Sequence, residues 1–199
     1  MEVIVVDGGS SDGTVDLARG RARVVGSAPG RGRQFNVGLG AAGGDVVLFL
    51  HADTWLRQGA EAAIITALQH PQLTGGCFRI SLRGPTANHP FARMLARAIN
   101  WRSRWLTSAT GDQAIFARRS ACARLGGFPE EELFEDVIFY RRLRRLGRVA
   151  VIGPPVLTSD RRWRRLGYPR TVITHLVLRL LFLLRVPPAQ LARLYQRVR

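Results

Sequence analysis

Short apolar runs rich in β-branched residues recur along the chain, and each is followed by a stretch with helical spacing. VIVVD (3–7), RVVG (23–26) and DVVLFL (45–50) read as strands, the first and third buried on both faces because neither alternates. GGCFRISL (75–82) alternates like a strand, and DQAIFAR (112–118) and VAVI (149–152) complete the set. Between them TVDLARG reads as a short helix closed by Gly20, and GRGRQFNVGLGAAGG as a loop entering a helix that stops at Gly43–Gly44. QGAEAAIITALQ (58–69), HPFARMLARAINWRSRW with its early proline, and FEDVIFYRRLRRLGR closed by Gly147 are further helices. Such alternation predicts an α/β fold with a largely parallel sheet and helices on both faces. The 199 residues suit one domain, with or without an appendage.

Charge narrows the partners. All thirty basic residues are arginine, against fourteen acidic ones, for a net charge of +16. This balance favours an anionic partner: nucleic acid, a phosphorylated small molecule or an acidic membrane surface. No nucleic-acid recognition motif or aromatic stacking platform is present, so no nucleic-acid partner is expected. Cys77 and Cys122 lie far apart in no metal-ligand spacing, and no signal peptide is read ahead of the first strand. A reduced, cytoplasmic setting is expected.

In sheets of this kind ligands lie beyond the carboxyl ends of the strands. Asp7 ends the first strand, Asp53 follows the third, and Asp136 opens a helix. A carboxylate ending a buried strand is costly unless it is hydrogen-bonded or binds something. The glycines after Asp7 let a ligand approach the backbone, while Ser10, Ser11 and Asp12 can equally cap the next helix. Glu135 and Asp136 suit a helix N-terminus through its dipole, whatever else they do.

Taken together, VIVVDGGSSDGT, GRGRQFNVGL, GDVVLFLHADT and the segment from GDQAIFARRS to EDVIFYRRLRRLGR resemble the family 2 glycosyltransferases of GT-A fold. The order and spacing of all four match, over residues 2 to about 166. The resemblance implies metal-dependent transfer of a sugar, usually with inversion, from a nucleotide diphosphate donor to an acceptor hydroxyl. Mg²⁺ or Mn²⁺ would stabilise the leaving diphosphate as a Lewis acid, held by few protein oxygens. Asp53 matches the metal ligand, and His51 stands where the family has a further Asp. Asp136 matches the base that takes the acceptor proton, with Glu135 beside it as support. Asp7 would contact the nucleotide, and Gly8 stands where many relatives have an acidic residue on the base. Arg31 and Arg33 would face the diphosphate or the base, with Asn36 buttressing their helix. Asp112 either faces the acceptor or caps a turn. Arg162 and Trp163 match an Arg–Trp pair that holds pyrophosphate or acceptor, although Ser159 replaces the Gln that precedes it in the family.

The expected organisation is a catalytic domain over 1–158 and a basic, amphipathic helical tail over 159–199. Within 171–186, Thr171, Thr174, His175, Arg179 and Arg185 fall in an arc of about 140° and leave a wide apolar face. That helix either lies in a membrane surface or covers the sheet. Peripheral association with the inner face of the cell membrane and a lipid acceptor follow from the first choice. The resemblance also implies a further strand before Met1, between VIVVD and DVVLFL. Those two strands are therefore expected to stay apart, with no ladder joining 3–7 to 45–50. The alternative is a non-catalytic remnant of the fold that binds nucleotide or anionic lipid.

Overall fold

The computed structural model describes residues 1–106 and 108–198, so the tail's last residue, Arg199, lies outside it. In chain order the elements are β1 (Ile4–Asp7), α1 (Thr14–Arg19), β2 (Arg23–Gly26), α2 (Arg31–Ala41), β3 (Val46–Phe49), β4 (Thr54–Trp55), α3 (Ala60–Leu68), β5 (Leu73–Arg83) and α4 (Pro90–Trp105). A 3-10 turn, Gly111–Gln113, leads into β6 (Ile115–Arg118) and α5 (Arg119–Leu125). Then come α6 (Glu135–Leu146), β7 (Arg148–Ser159), α7 (Arg161–Leu166), α8 (Tyr168–Leu183) and α9 (Pro188–Val198).

The strands form two sheets. β1 and β2 pair in parallel, Ile4 with Arg23 through Asp7 with Gly26. The other five run in the order β3-β6-β5-β7-β4. No ladder joins β1 to β3, as expected. The α/β class holds, but the larger sheet is mixed rather than largely parallel. β6 runs antiparallel to both β3 and β5, and β4 antiparallel to β7, leaving β5–β7 as its parallel pair. After α4 the chain re-enters the sheet through the 3-10 turn, whose C-cap Ala114 is held at φ 48°, and this sets β6 against its neighbours. β1 and β3 are half-buried instead of sealed on both faces: β1 has a ladder on one edge, and Val46 and Leu50 at the ends of the DVVLFL run are exposed.

Alternation along β5 builds the core. Cys77 joins Ile115, Ala117, Phe139 and Leu143 on the face covered by α5 and α6, while Phe78 joins Phe116, Val156 and Ile64 under α3. The helices thus lie on both faces, as expected. Each fully buried Leu or Phe contributes about 1.5–3 kcal/mol. α2 ties the small sheet to this core. Gln34 Nε2 donates to Val6 O at 3.0 Å, and Asn36 exchanges hydrogen bonds with the Phe128 backbone at 2.9 and 2.7 Å. Phe35 packs on Phe49 and Phe128 at 5.3 and 4.9 Å between ring centres. Gly32 passes so close to Pro129 O that any Cβ there would overlap it.

Asp160, just after β7, ties three segments together. Its buried carboxylate accepts from Thr86 N at 2.9 Å, Thr86 Oγ1 at 2.7 Å and Arg164 Nε at 3.0 Å. Beyond it α8 lies across the domain. Tyr168 packs edge-on against Phe91 of α4 at 5.5 Å, and Phe182 stacks on Phe134 at the start of α6 at 4.6 Å. Its amphipathicity is inverted. Thr171 is buried and His175 and Arg179 are half-buried, whereas Ile173, Leu176, Val177, Leu180, Leu183 and Leu184 are 46–68% exposed.

Candidate active site

The groups of the site come from loops that the strands and helices aim at one another. β3 delivers the chain to His51, whose ring stacks on Phe35 of α2 at 5.7 Å and 14°. Its Nδ1 lies 3.2 Å from Asp112 Oδ1 in the 3-10 turn. That turn is fixed from beneath by Gln113, which is fully buried. Its Oε1 accepts from Ser103 Oγ at 2.8 Å and its Nε2 donates to Phe78 O at 3.1 Å. Thr110 and Gln113 also close a capping box around the turn.

The same turn reaches α6. Gly111 N–H donates to Asp136 Oδ2 at 2.6 Å, and Val137 N–H to Asp136 Oδ1 at 2.6 Å. A side chain at Gly111 would run into the His51 imidazole, so glycine is what lets the histidine, the turn and Asp136 meet. Asp136 is buried, 7% exposed, and these two bonds hold its carboxylate in one orientation. The neighbouring Glu135 is sealed, with Arg31 Nε 2.8 Å from its Oε1 and Arg31 Nη2 donating to Oε2 at 3.2 Å. Burial and then the Asp136 charge push the Glu135 carboxyl up to about 7, against the pull of Arg31.

His51, Asp53 and Asp112 offer ligand atoms that all lie within 4.8 Å of one another. His51 Nε2 is buried without a hydrogen-bond partner among the described residues. Burial lowers the basicity of His51, but the hydrogen bond and charge of Asp112 outweigh it, and its pKa is raised. Burial pushes the Asp112 carboxyl up, while His51, Arg162 and Arg31 together hold it below the ordinary carboxylate value. An imidazole with two carboxylates is a donor set that fits a divalent cation such as Mn²⁺ or Mg²⁺. Beside Asp53 a cavity of about 450 Å³ is lined by Trp55, Ser159 and Arg161.

Among the described residues, no hydrogen bond or ion pair ties Asp7, Gly8, Arg33 or Trp163 to His51, Asp53, Asp112 or Asp136. The Asp7 carboxylate is folded onto its own turn, accepting from Gly9 N at 2.9 Å and Ser10 N at 3.0 Å. Hydrogen bonds from Ser10, side chain first, and from Gly9 hold it below the usual range. Gly8 lies against the Gln34 side chain. Arg33 is engaged with the exposed Glu130 at 3.0 Å, so of the two arginines expected to face the site only Arg31 reaches it. Trp163 stacks on Tyr168 at 5.8 Å and meets His175 edge-on at 5.7 Å.

Gly111, Ser108, Arg102, His175 and Arg179 carry no sequence motif that marks them as site residues. Arg179 Nη2 donates to Ser108 Oγ at 3.1 Å and Arg102 Nε to Ser108 O at 3.3 Å. The polar arc of the tail helix was the signal that pointed to His175 and Arg179.

Comparison with known proteins identifies the family and the fold. The model of the family "Glycosyl transferase family 2" matches residues 1–126. The probable glycosyltransferase YdaM of Bacillus subtilis (strain 168) is 27% identical over 180 residues, which cover 80% of this chain and 43% of that protein. S. aureus TarS 1–349 in complex with UDP-GlcNAc superposes with a TM-score of 0.57 at 20% identity, over 79% of this chain and 49% of that one. The mannosyltransferase PcManGT from Pyrobaculum calidifontis, in complex with GDP-Man and Mn²⁺, gives 0.58 at 21% identity, over 99% and 60%. Glucosyl-3-phosphoglycerate synthase from Mycobacterium tuberculosis, with Mn²⁺, UDP and glucosyl-3-phosphoglycerate, gives 0.54 at 24%, over 79% and 59%. The fold is therefore that of the GT-A glycosyltransferases. The chain spans 43% of the curated relative and 49% to 60% of these three solved chains.

Proposed function

Because this chain belongs to glycosyl transferase family 2, we propose that it transfers a sugar from a nucleotide diphosphate donor to an acceptor hydroxyl with inversion. The observation that carries the reading is the convergence of three loops: His51 bonded to Asp112, and the adjacent Gly111 bonded to Asp136. Asp136 takes the proton of the attacking hydroxyl, a role for which two backbone N–H groups hold its carboxylate in one orientation. Glu135 is sealed, paired with Arg31 and raised to about 7, so it is a poor nucleophile. With Asp136 acting as base on the acceptor hydroxyl rather than as nucleophile, the transfer is a single displacement, hence an inversion. His51, Asp53 and Asp112 would hold a divalent cation, which when bound supplies Lewis-acid stabilisation to the diphosphate leaving group. Arg31 and Arg162 bring positive charge to the same side, and Asp7 and Gly8 border the nucleotide.

The acceptor, on this reading, is presented at a membrane surface. Among the described residues no helix is long and apolar enough to cross a membrane. The exposed apolar face of α8, together with exposed Met94, Trp101 and Trp105 on α4, suits insertion into the headgroup region instead. The net charge of +16 adds attraction to anionic lipid.

Calorimetry with UDP- and GDP-sugars, with and without Mn²⁺, tests the donor half. Binding should require the metal and be lost in Asp53→Ala. Metal-independent binding, or unchanged affinity in that variant, would remove the proposed cation site.

A further inference from the structure

Among the described residues, Arg102 and Arg179 are two guanidinium groups with no ion-pair partner. They approach from opposite helices, α4 and α8, and meet on one residue, Ser108, which is 6% exposed. Among the described residues neither has a carboxylate within 4.0 Å. Arg102 Nη2 is buried with no hydrogen-bond partner among the described residues. Burial, followed by the charge of Arg179, depresses the Arg102 pKa to about 10. Half-buried like charges of this kind are unfavourable unless something neutralises them. Asp136 acts on both arginines in the favourable direction but is already engaged by Gly111 and Val137. His175, on the same face of α8, is held below its usual pKa by burial and by Arg162, which keeps the imidazole neutral and able to accept or donate.

Resting on the reading of the chain as a transferase with Asp136 as its base, we propose that Arg102 and Arg179 form a subsite for an anionic group, a phosphate or a carboxylate, carried by the acceptor. Two guanidinium forks on one anion give bidentate, oriented recognition, which a lysine or a single arginine does not. The subsite lies under α8, on the side of the base, so an acceptor anchored there would bring its hydroxyl to Asp136. It also lies beneath the helix whose outer face is apolar, which gives two sources for the same chemistry: the headgroup of an anionic lipid, or a soluble phosphorylated or carboxylated acceptor.

The test uses the full chain, with inorganic phosphate, UDP plus Mn²⁺, and two vesicle preparations as probes: phosphatidylcholine alone, and phosphatidylcholine with phosphatidate. Phosphate binding, read by calorimetry, should weaken about tenfold or more in Arg179→Gln, the scale of one charged hydrogen bond, with Mn²⁺-dependent UDP binding unchanged. Arg102→Gln provides an independent second variant, and circular dichroism verifies that each is folded. Stronger sedimentation with phosphatidate vesicles, reduced in both variants while binding to phosphatidylcholine is equal, identifies a lipid source. Phosphate binding with no difference between the vesicles identifies a soluble one. Phosphate affinity unchanged in both variants overturns the subsite. Equal loss of UDP and phosphate binding overturns it too, because the arginines would then serve the donor diphosphate. Failure of wild type to bind UDP while the arginine-dependent phosphate binding persists would sink the transferase reading and leave the anion site standing.

Discussion

In the five-stranded sheet Cys77, Phe78, Phe116 and Ala117 are sealed from water, whereas no residue of β1, α1 or β2 is buried. The large sheet has helices on both faces; β1 and β2 have each other, α1 and α2. Chemistry is divided along the same line. Asp136, Asp112 and His51 are held by hydrogen bonds reaching down to the buried Gln113, while Asp7 is held by its own turn. Stability follows burial and protected hydrogen bonds, and segments that bind ligands are drawn from the less stable end. On the proposed reading, the catalytic side is assembled before any substrate arrives, and the nucleotide side is the one whose order a bound nucleotide would raise.

The largest effect should come from the assembled side. Asp136→Asn is expected to lower transfer by about 10²–10⁴-fold, the range of general-base loss, with metal-dependent donor binding intact. Asp7→Ala should do the reverse, weakening donor affinity and sparing turnover at saturating donor. An equal loss of turnover in the two variants would erase the distinction.

Stability should divide in the same way. Phe116→Ala is expected to cost about 3–5 kcal/mol in denaturant unfolding, as large core deletions do. Leu17→Ser, on the exposed face of α1, should stay within about 0.5 kcal/mol.

Asp160 gives a pH signature confined to the well-packed side. Burial pushes its pKa up, but hydrogen bonds from Thr86 and Arg164 outweigh this and hold it below the ordinary aspartate value of 3.8. A folded-state pKa lowered in this way contributes stability that is present above the unfolded value and is lost as pH falls through the folded one. Asp160→Asn should therefore be less stable than wild type at neutral pH, with the difference shrinking in acid. A difference that is independent of pH would contradict the charged role.

Much of this division was legible in the chain itself. RVVG forms β2 with the expected bounds, and glycine ends α1 and α6 as its spacing predicts. His51 follows β3, Asp112 lies in the turn before β6 and Asp136 opens α6, and the fold brings the three together. Strand direction was not legible: β6 is a run of four apolar and basic residues whose polarity is set by the turn before it and by partners far away in sequence. RSACARL became α5, which the sequence reading left unassigned, because its helical face is evident only against Tyr140 and Phe139. Arg102 reads as one charge of a basic helix and Arg179 as one of a polar arc, so their meeting was hidden for a similar reason. Each looks like a solvated arginine until α8 is laid across α4.

Amide hydrogen exchange tests the contrast between the two sheets most directly. Without ligand, the amides of β1 and β2 should exchange well ahead of those of β5, β6 and β7. Saturating nucleotide diphosphate with Mn²⁺ should slow β1, β2 and the turn at Asp7, and leave the large sheet unchanged. Equal protection of both sheets before ligand, or protection by nucleotide confined to β5–β7, would contradict the account.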